Sequence, residues 1–345
     1  MAAQALEELI LDLRQNGVGA SKSGKDAKGG AVVVQEVKTG EVLASVSYPG
    51  YTMEEFQNSE SFAKLRDDDV YSPLLDRSRF AAYAPGSIYK MCTAIAAMDV
   101  AGFGSGFTVR DQGRYTKYEL EGYAPACYIY TSTGHTHGVV NMMEAIRDSC
   151  NYYFYEVGLK VSTVDEDFVA MKLGLGEPTG SELGEYIGQR ANAESKAEVF
   201  AGTSQSEWVD GDKLQAAIGQ SLNAFTPLQM VCYTSALANG GTRYEASFLR
   251  RVVSWDFSEL IEESIPTVAS KLDISPEALK AINEGMQMAA HERVGYNSDV
   301  DGTASAHLFD YPIKVAAKTG IIFYRYIRRK ILRWEVYDGA FADSV

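Results

Sequence analysis

Three short stretches carry residue types that could do chemistry together. In "YAPGSIYKMCTAIAAMD", Ser87 and Lys90 stand three apart. On a helix that spacing puts both side chains on one face. A serine in the first turn sits near free backbone amides and the positive helix end, where negative charge is favoured. A serine hydroxyl is a weak nucleophile and needs a base. A lysine can be that base only when neutral, which requires burial or neighbouring cations to lower its pKa. The pair alone also fits a blander alternative, an exposed capping serine beside a solvated lysine. The second stretch is Ser149-Cys150-Asn151, at a break in the helical pattern of "VNMMEAIRDSCNYYFYEVGLK". The third is Lys318-Thr319-Gly320 in "IKVAAKTGIIFY". A serine, an amide and a second lysine could share the proton traffic of Lys90 and hold a substrate.

The same KTG tripeptide occurs at Lys38-Thr39-Gly40, where it separates two strand patterns, "AVVVQEV" and "EVLASVSY". Three residues ending in Gly are the composition of a hairpin loop. This copy reads as a turn and the later one as a site.

The elements that must position these residues are legible from periodicity. Leu6, Leu9, Ile10 and Leu13 make an amphipathic helix that stops at Gly17. A polar Gly/Lys/Ser-rich loop leads to the hairpin, and residues 53–80 are charged and irregular. Pro85-Gly86 break the chain, Ser87 begins a helix, and Ile88, Met91, Ile95 and Met98 form its apolar stripe. Thr226 caps a helix that has Pro227 at its first position and stops at Gly240-Gly241. Ser275 caps another, and "IKVAAKTGIIFYRY" returns to strand character. Hairpin, many helices, then a distant strand imply an α+β fold. Its antiparallel sheet has helices packed on it.

Bulk properties narrow the function. The chain has 345 residues, 46% hydrophobic and 23% charged, enough for an ordinary soluble core in one large domain spanning 1–345. A net charge of -14 argues against nucleic acid. No stretch approaches the ~18 apolar residues of a membrane span. Cys92, Cys127, Cys150 and Cys232 lack CxxC spacing and read as buried thiols. His135 and His137 read as loop residues, so no metal site and no cofactor are expected. Arg325, Arg328, Arg329, Lys330 and Arg333 read as a solvated loop, with anionic lipid or polymer as the alternative.

SxxK, SxN and KTG together are the signature of penicillin-interacting serine enzymes, and here they fall in the family's order. The chain resembles the transpeptidase domain of class B penicillin-binding proteins, of the penicillin-binding protein 2-like type that builds the lateral wall. The resemblance spans about residues 2 to 320 and includes "KTGEVLASVSYPGY", "SCNYYFYEVG", "LQAAIGQSLNAFTPLQM" and "ALANGGTRY". It implies that Ser87 is the acylated nucleophile and Lys90 its general base. Ser149 would relay a proton to the leaving amine, and Asn151 would hold the substrate backbone. Lys318 and Thr319, with Gly320 beside them, would bind the terminal carboxylate. The amides of Ser87 and Ile321 would form the oxyanion hole. The implied substrate is the D-Ala-D-Ala end of a peptidoglycan stem, and β-lactams would trap Ser87. The resemblance also implies a sheet packed between helices beside an all-helical subdomain, a membrane glycan polymerase as partner, and the outer face of the cytoplasmic membrane as location.

The sequence departs from the family in places. Ile321 stands where the family has Thr, and the stretch after it is unlike the family's. The membrane anchor, the stalk module, the last strand and the closing helix are expected to be missing. A β-lactam sensor or degenerate binding module is the alternative function. A serine β-lactamase is disfavoured, because no ExxLN-like element lies between Ser149 and Lys318.

Overall fold

The computed structural model describes residues 1–18, 23–293 and 301–320. Helix α1 (Ala2–Asn16) buries Leu6, Ile10 and Leu13 and ends where Gly17 turns to φ 67° and donates to Leu13 O. That apolar face lies against Val32, Val46 and Tyr48 of the hairpin β1 (Gly30–Gln35) and β2 (Val42–Tyr48). The strands are antiparallel, with Ala31 opposite Ser47 and a bulge at Val34/Gln35. Residues 53–80, expected to be irregular, instead hold three short helices, the first two capped by Thr52 and Asn58.

The main core is helical. Helix α2 (Lys90–Ile95) carries Met91, Cys92 and Ile95 into it. Helices α3 (Met142–Arg147) and α4 (Asn151–Lys160) meet at the break expected near residue 149. Behind them lie α5 (Thr163–Lys172), α6 (Asp210–Ala216) and α7 (Pro227–Ala238). Thr226 caps α7 by accepting from Gln229 N, with Pro227 in the first turn, as read from the sequence. Helix α8 (Pro276–His291), capped by Ser275, packs against α3 so closely that a Cβ on Gly285 would lie 2.8 Å from Ile146 Cβ.

Strand and helix are both present, so the α+β class holds. The strand expected over 313–326 to join the sheet lies partly outside the described residues, which end at 320. The described residues form four separate two-stranded ladders, with the hairpin tied to residue 247 through the Glu41–Ser247 bridge. Residues 314–320 join no ladder, and Ala317 N bonds Met286 O on α8 instead. A strand exists only with a partner to pair its backbone, which strand-like composition cannot supply. Among the described residues no helix is long and apolar enough to cross a membrane.

Candidate active site

Ser87 lies in a tight 3₁₀ turn, Gly86–Tyr89, that runs directly into α2. Tertiary bonds fasten this turn. Tyr83 and Phe225 exchange backbone hydrogen bonds, and Gly86 N donates to Gly219 O at 2.9 Å. Gly219 has φ 71°, and a Cβ there would lie 2.1 Å from Gly86 O, so no other residue fits beneath the turn. Tyr233, fully buried on α7, donates its hydroxyl to Ile88 O and accepts from Cys92 N, both at 3.2 Å.

Lys90 is completely buried. Its Nζ donates to Ser149 O at 2.7 Å, Asn151 Oδ1 at 2.7 Å and Ser149 Oγ at 3.3 Å, and sits 5.4 Å from the centre of the Phe154 ring. Three acceptors match the three protons of an ammonium. Burial lowers the Lys90 pKa to about 8, against the nearby thiols Cys127 and Cys150, which favour the charge. The bland reading of a solvated lysine therefore fails. Among the described residues no hydrogen bond joins Lys90 Nζ to Ser87 Oγ, a contact that catalytic groups often make only once substrate is bound.

Ser149 lies between α3 and α4 with φ 53°, a left-handed conformation rarely taken by a residue with a side chain. In that conformation its carbonyl and its hydroxyl both face Lys90. From the opposite side Lys318 Nζ donates to Ser149 Oγ at 2.8 Å and to Thr319 O at 3.0 Å. One hydroxyl is thus held between two lysines 228 positions apart in the chain, Lys90 and Lys318. Gly320 brings the second KTG against the nucleophile's turn. A Cβ there would lie 2.8 Å from Pro85 O and 2.8 Å from Ile88 Cγ1. Ser87, Lys90, Ser149, Asn151, Lys318, Thr319 and Gly320 therefore occupy one site, although the strand expected to carry the last three forms no ladder among the described residues. Ile321 and the basic run 325–333 lie outside the described residues.

Lys38-Thr39-Gly40 is the turn between β1 and β2. Gly40 has φ 81°, and a Cβ would strike Glu245 O at 2.1 Å. Thr39 Oγ1 accepts from Glu41 N, its own turn's backbone.

A second cluster lies directly behind Ser149. Asp111, Cys127, His137 and Cys150 present ligand atoms that all lie within 4.8 Å of one another. His137 Nδ1 is 2.8 Å from Asp111 Oδ2 and 3.5 Å from Cys127 Sγ, and Cys150 Sγ is 3.7 Å from the same Asp111 oxygen. The expectation of no metal site is thereby revised. His135 is an exposed loop residue as read, but the His137 side chain is buried among three other donors. Two thiols, an imidazole and a carboxylate suit a divalent cation of the zinc type. The buried His137 Nε2 has no hydrogen-bond partner among the described residues. Burial alone would lower the His137 pKa, but hydrogen bonds to Asp111 and Cys127 raise it to about 9. Without a cation, the imidazolium supplies the positive charge between the carboxylate and the thiols. Spacing hid the set, because β3 (Val109–Arg110) pairing with β4 (Val139–Val140) brings Asp111 to His137, while Cys127 is held by its bond to Gly113 O and Cys150 by the α3–α4 junction.

Residues 30–322 match the family model for the penicillin binding protein transpeptidase domain. The chain is 31% identical over 225 residues to the peptidoglycan D,D-transpeptidase MrdA of Acinetobacter baumannii, covering 64% of this chain and 32% of the relative. Its identity to the MrdA of Escherichia coli K12 is 28% over 296 residues, 84% of this chain and 43% of the relative. The chain thus spans less than half the length of these curated relatives. It also superposes on a solved complex of the penicillin-binding protein PBP2 and MreC from Helicobacter pylori. The TM-score is 0.70 at 27% identity, over 92% of this chain and 52% of that one. The hydroxyl held between two lysines thus lies on a scaffold shared with these proteins, and the chain belongs to the penicillin-binding protein transpeptidase family.

Proposed function

We propose that this chain is a single transpeptidase domain, the acyl-transferring part of a peptidoglycan D,D-transpeptidase of the elongation type. The observation that carries the reading is Ser149 Oγ between Lys90 Nζ and Lys318 Nζ, one turn from Ser87. Neutral Lys90 takes the Ser87 proton as Oγ attacks the penultimate D-Ala carbonyl. The amides of Ser87 and Ile321 receive the developing oxyanion. The C–N bond breaks as the proton passes through Ser149 to the leaving nitrogen, and D-Ala departs. An amine of a neighbouring stem then attacks the ester, the C–O bond breaks, and Ser87 recovers its proton. Asn151 orients the stem backbone, while Lys318 and Thr319 bind the terminal carboxylate, with Gly320 letting them lie close to Ser87. No step needs a cofactor. A cation at the Asp111–Cys150 cluster would act structurally, bracing Cys150 between Ser149 and Asn151.

In the cell this domain would work on the outer face of the cytoplasmic membrane, beside a glycan polymerase. A solved peptidoglycan synthase complex that coordinates polymerization and crosslinking, similar to this chain at a TM-score of 0.72 and 25% identity, supports a polymerase partner. A β-lactamase reading loses further ground. The buried carboxyl of Glu166 is spent on Thr93 of α2 and makes no hydrogen bond to Ser87 among the described residues.

The test is the intact mass of the protein after incubation with benzylpenicillin, followed by peptide mapping. A stable single adduct on Ser87 supports the reading. No adduct, rapid turnover, or label on another residue overturns it.

A further inference from the structure

One turn along α2 from Lys90, at Thr93, lies a carboxyl contact that the acyl-transfer chemistry does not use. Glu166 on α5 is buried, and its Oε1 is 2.8 Å from Thr93 Oγ1. Thr93 lies one turn after Lys90 on α2 and is fully buried. Its Oγ1 is also 2.8 Å from the carbonyl of Ala217. Ala217 begins the segment whose Gly219 carbonyl holds Gly86 N, the amide before Ser87.

Counting protons decides the state of this contact. The Thr93 hydroxyl has one proton and two oxygen partners. The Ala217 carbonyl can only accept, and so can an ionised carboxylate. If Glu166 were ionised, two oxygens would compete for one proton, and one would be left facing a lone pair in the buried interior. If Glu166 carries a proton, it donates to Thr93, Thr93 donates to Ala217, and every group is satisfied. The surroundings agree. The charged group that bears on it is Asp167, on the same helix, which is paired with Arg190, itself also paired with Glu177. Cys92 on α2 and Tyr89, in the turn before it, are a thiol and a phenol that burial keeps neutral. Among the described residues Glu166 makes no ion pair. Burial raises its pKa to about 7, partly offset by the Thr93 hydrogen bond.

We propose that Glu166 is a positioning residue for the serine chemistry, held as the neutral acid. Its proton closes the chain Glu166 to Thr93 to Ala217 that pins α2, and with it Lys90, to the segment beneath Ser87. Ionisation opens that chain from behind, without touching a reacting group. This inference rests on the proposed acyl-transfer function for its kinetic readout and on the proton count for its spectroscopic one.

The experiment compares wild type, Glu166→Gln and Glu166→Ala by benzylpenicillin acylation rate from pH 6 to pH 8.5. A Gln amide can donate to Thr93 at every pH, whereas Ala cannot donate at all. The Lys90 titration is common to all three and cancels in their ratios. At pH 6 Glu166→Gln should match wild type, while Glu166→Ala should be slower throughout. With a pKa of about 7, the ratio of Glu166→Gln to wild type should rise to roughly tenfold at pH 8, as the neutral acid falls to about one part in ten. A flat ratio, or Gln behaving like Ala, overturns the proposal. Independently, infrared difference spectra at pH 6 should show a protonated carboxyl band in wild type that Glu166→Gln lacks, and its absence also overturns the proposal. If wild type takes no label, the acyl-transfer function falls and the infrared band alone decides whether Glu166 carries the proton.

Discussion

The two KTG copies share three residues and almost nothing else. At 38–40 the triplet is a turn whose threonine bonds its own backbone and whose glycine is demanded by φ 81° and the nearness of Glu245 O. At 318–320 the lysine reaches Ser149 Oγ, and the glycine lets the chain lie against Pro85 and Ile88. In the first copy glycine serves a local conformation. In the second it serves a long-range approach. A tripeptide therefore has no intrinsic function, and what surrounds it after folding assigns one.

The largest effect should separate the machinery that the second copy joins from everything else. Ser87→Ala should abolish covalent penicillin labelling, read by intact mass, whatever happens at either KTG. Lys90→Arg should fail almost as badly as Lys90→Ala, because a guanidinium keeps its proton in a protein. Losing a general base costs about 10²–10⁴ in acylation rate. Rescue by Arg would make Lys90 a mere positive charge.

Next come the two lysines of the comparison itself. Lys318→Ala removes a charge-assisted hydrogen bond worth roughly 1.5–3 kcal/mol, so acylation should slow about 10- to 100-fold. Lys38→Ala should leave the rate unchanged. Equal effects would erase the distinction between the copies. The glycines sharpen it further. Gly40→Ala should lower the melting temperature through an imposed clash and a left-handed φ, at a cost of about 1–3 kcal/mol, while the folded fraction acylates normally. Gly320→Ala should instead slow acylation, since its clash falls on the nucleophile's turn. The smallest effects belong to the threonines. Thr319→Ala should slow acylation several-fold, and Thr39→Ala should change only stability, by less than about 1 kcal/mol.

Two solution variables probe the scaffold around the second copy. In a Glu166→Gln background the acylation rate should rise several-fold as pH goes from 7 to 9. The sign follows from Lys90, whose pKa is lowered to about 8, so that its neutral, proton-accepting form grows with pH. A fall over that range would refute Lys90 as the base. Stripping metal with a strong chelator should lower the melting temperature of zinc-loaded protein, and Cys127→Ala should remove the difference, read by calorimetry and metal analysis. No bound zinc in the folded protein would leave His137 as the cluster's only cation.

Much of the site was legible because its residues announce themselves by type and short-range order. Ser87 with Lys90, Ser149 with Asn151, and the glycine-ended hairpin at 38–40 are each local statements, and helix periodicity and turn chemistry are local too. The caps at Thr226 and Ser275 were readable for the same reason. The strand read over 313–326 needs a pairing partner that no local pattern contains, and its described part, 313–320, joins no ladder among the described residues. The Asp111–Cys127–His137–Cys150 cluster was invisible because its members share no spacing and meet only through tertiary contacts, the β3–β4 ladder among them.

The sequence by itself determined which residues could carry acyl transfer, where most helices begin and end, and that one KTG could be a plain turn. Those follow from side-chain chemistry and from backbone preferences within a few residues. Only the tertiary structure decided that Lys90 loses its water, that Ser149 Oγ lies between two lysines, and that Thr93 has one proton for two oxygens. Each of these depends on segments far apart in the chain closing around a buried polar group. Desolvation and hydrogen-bond counting then act on distances that only the folded chain defines.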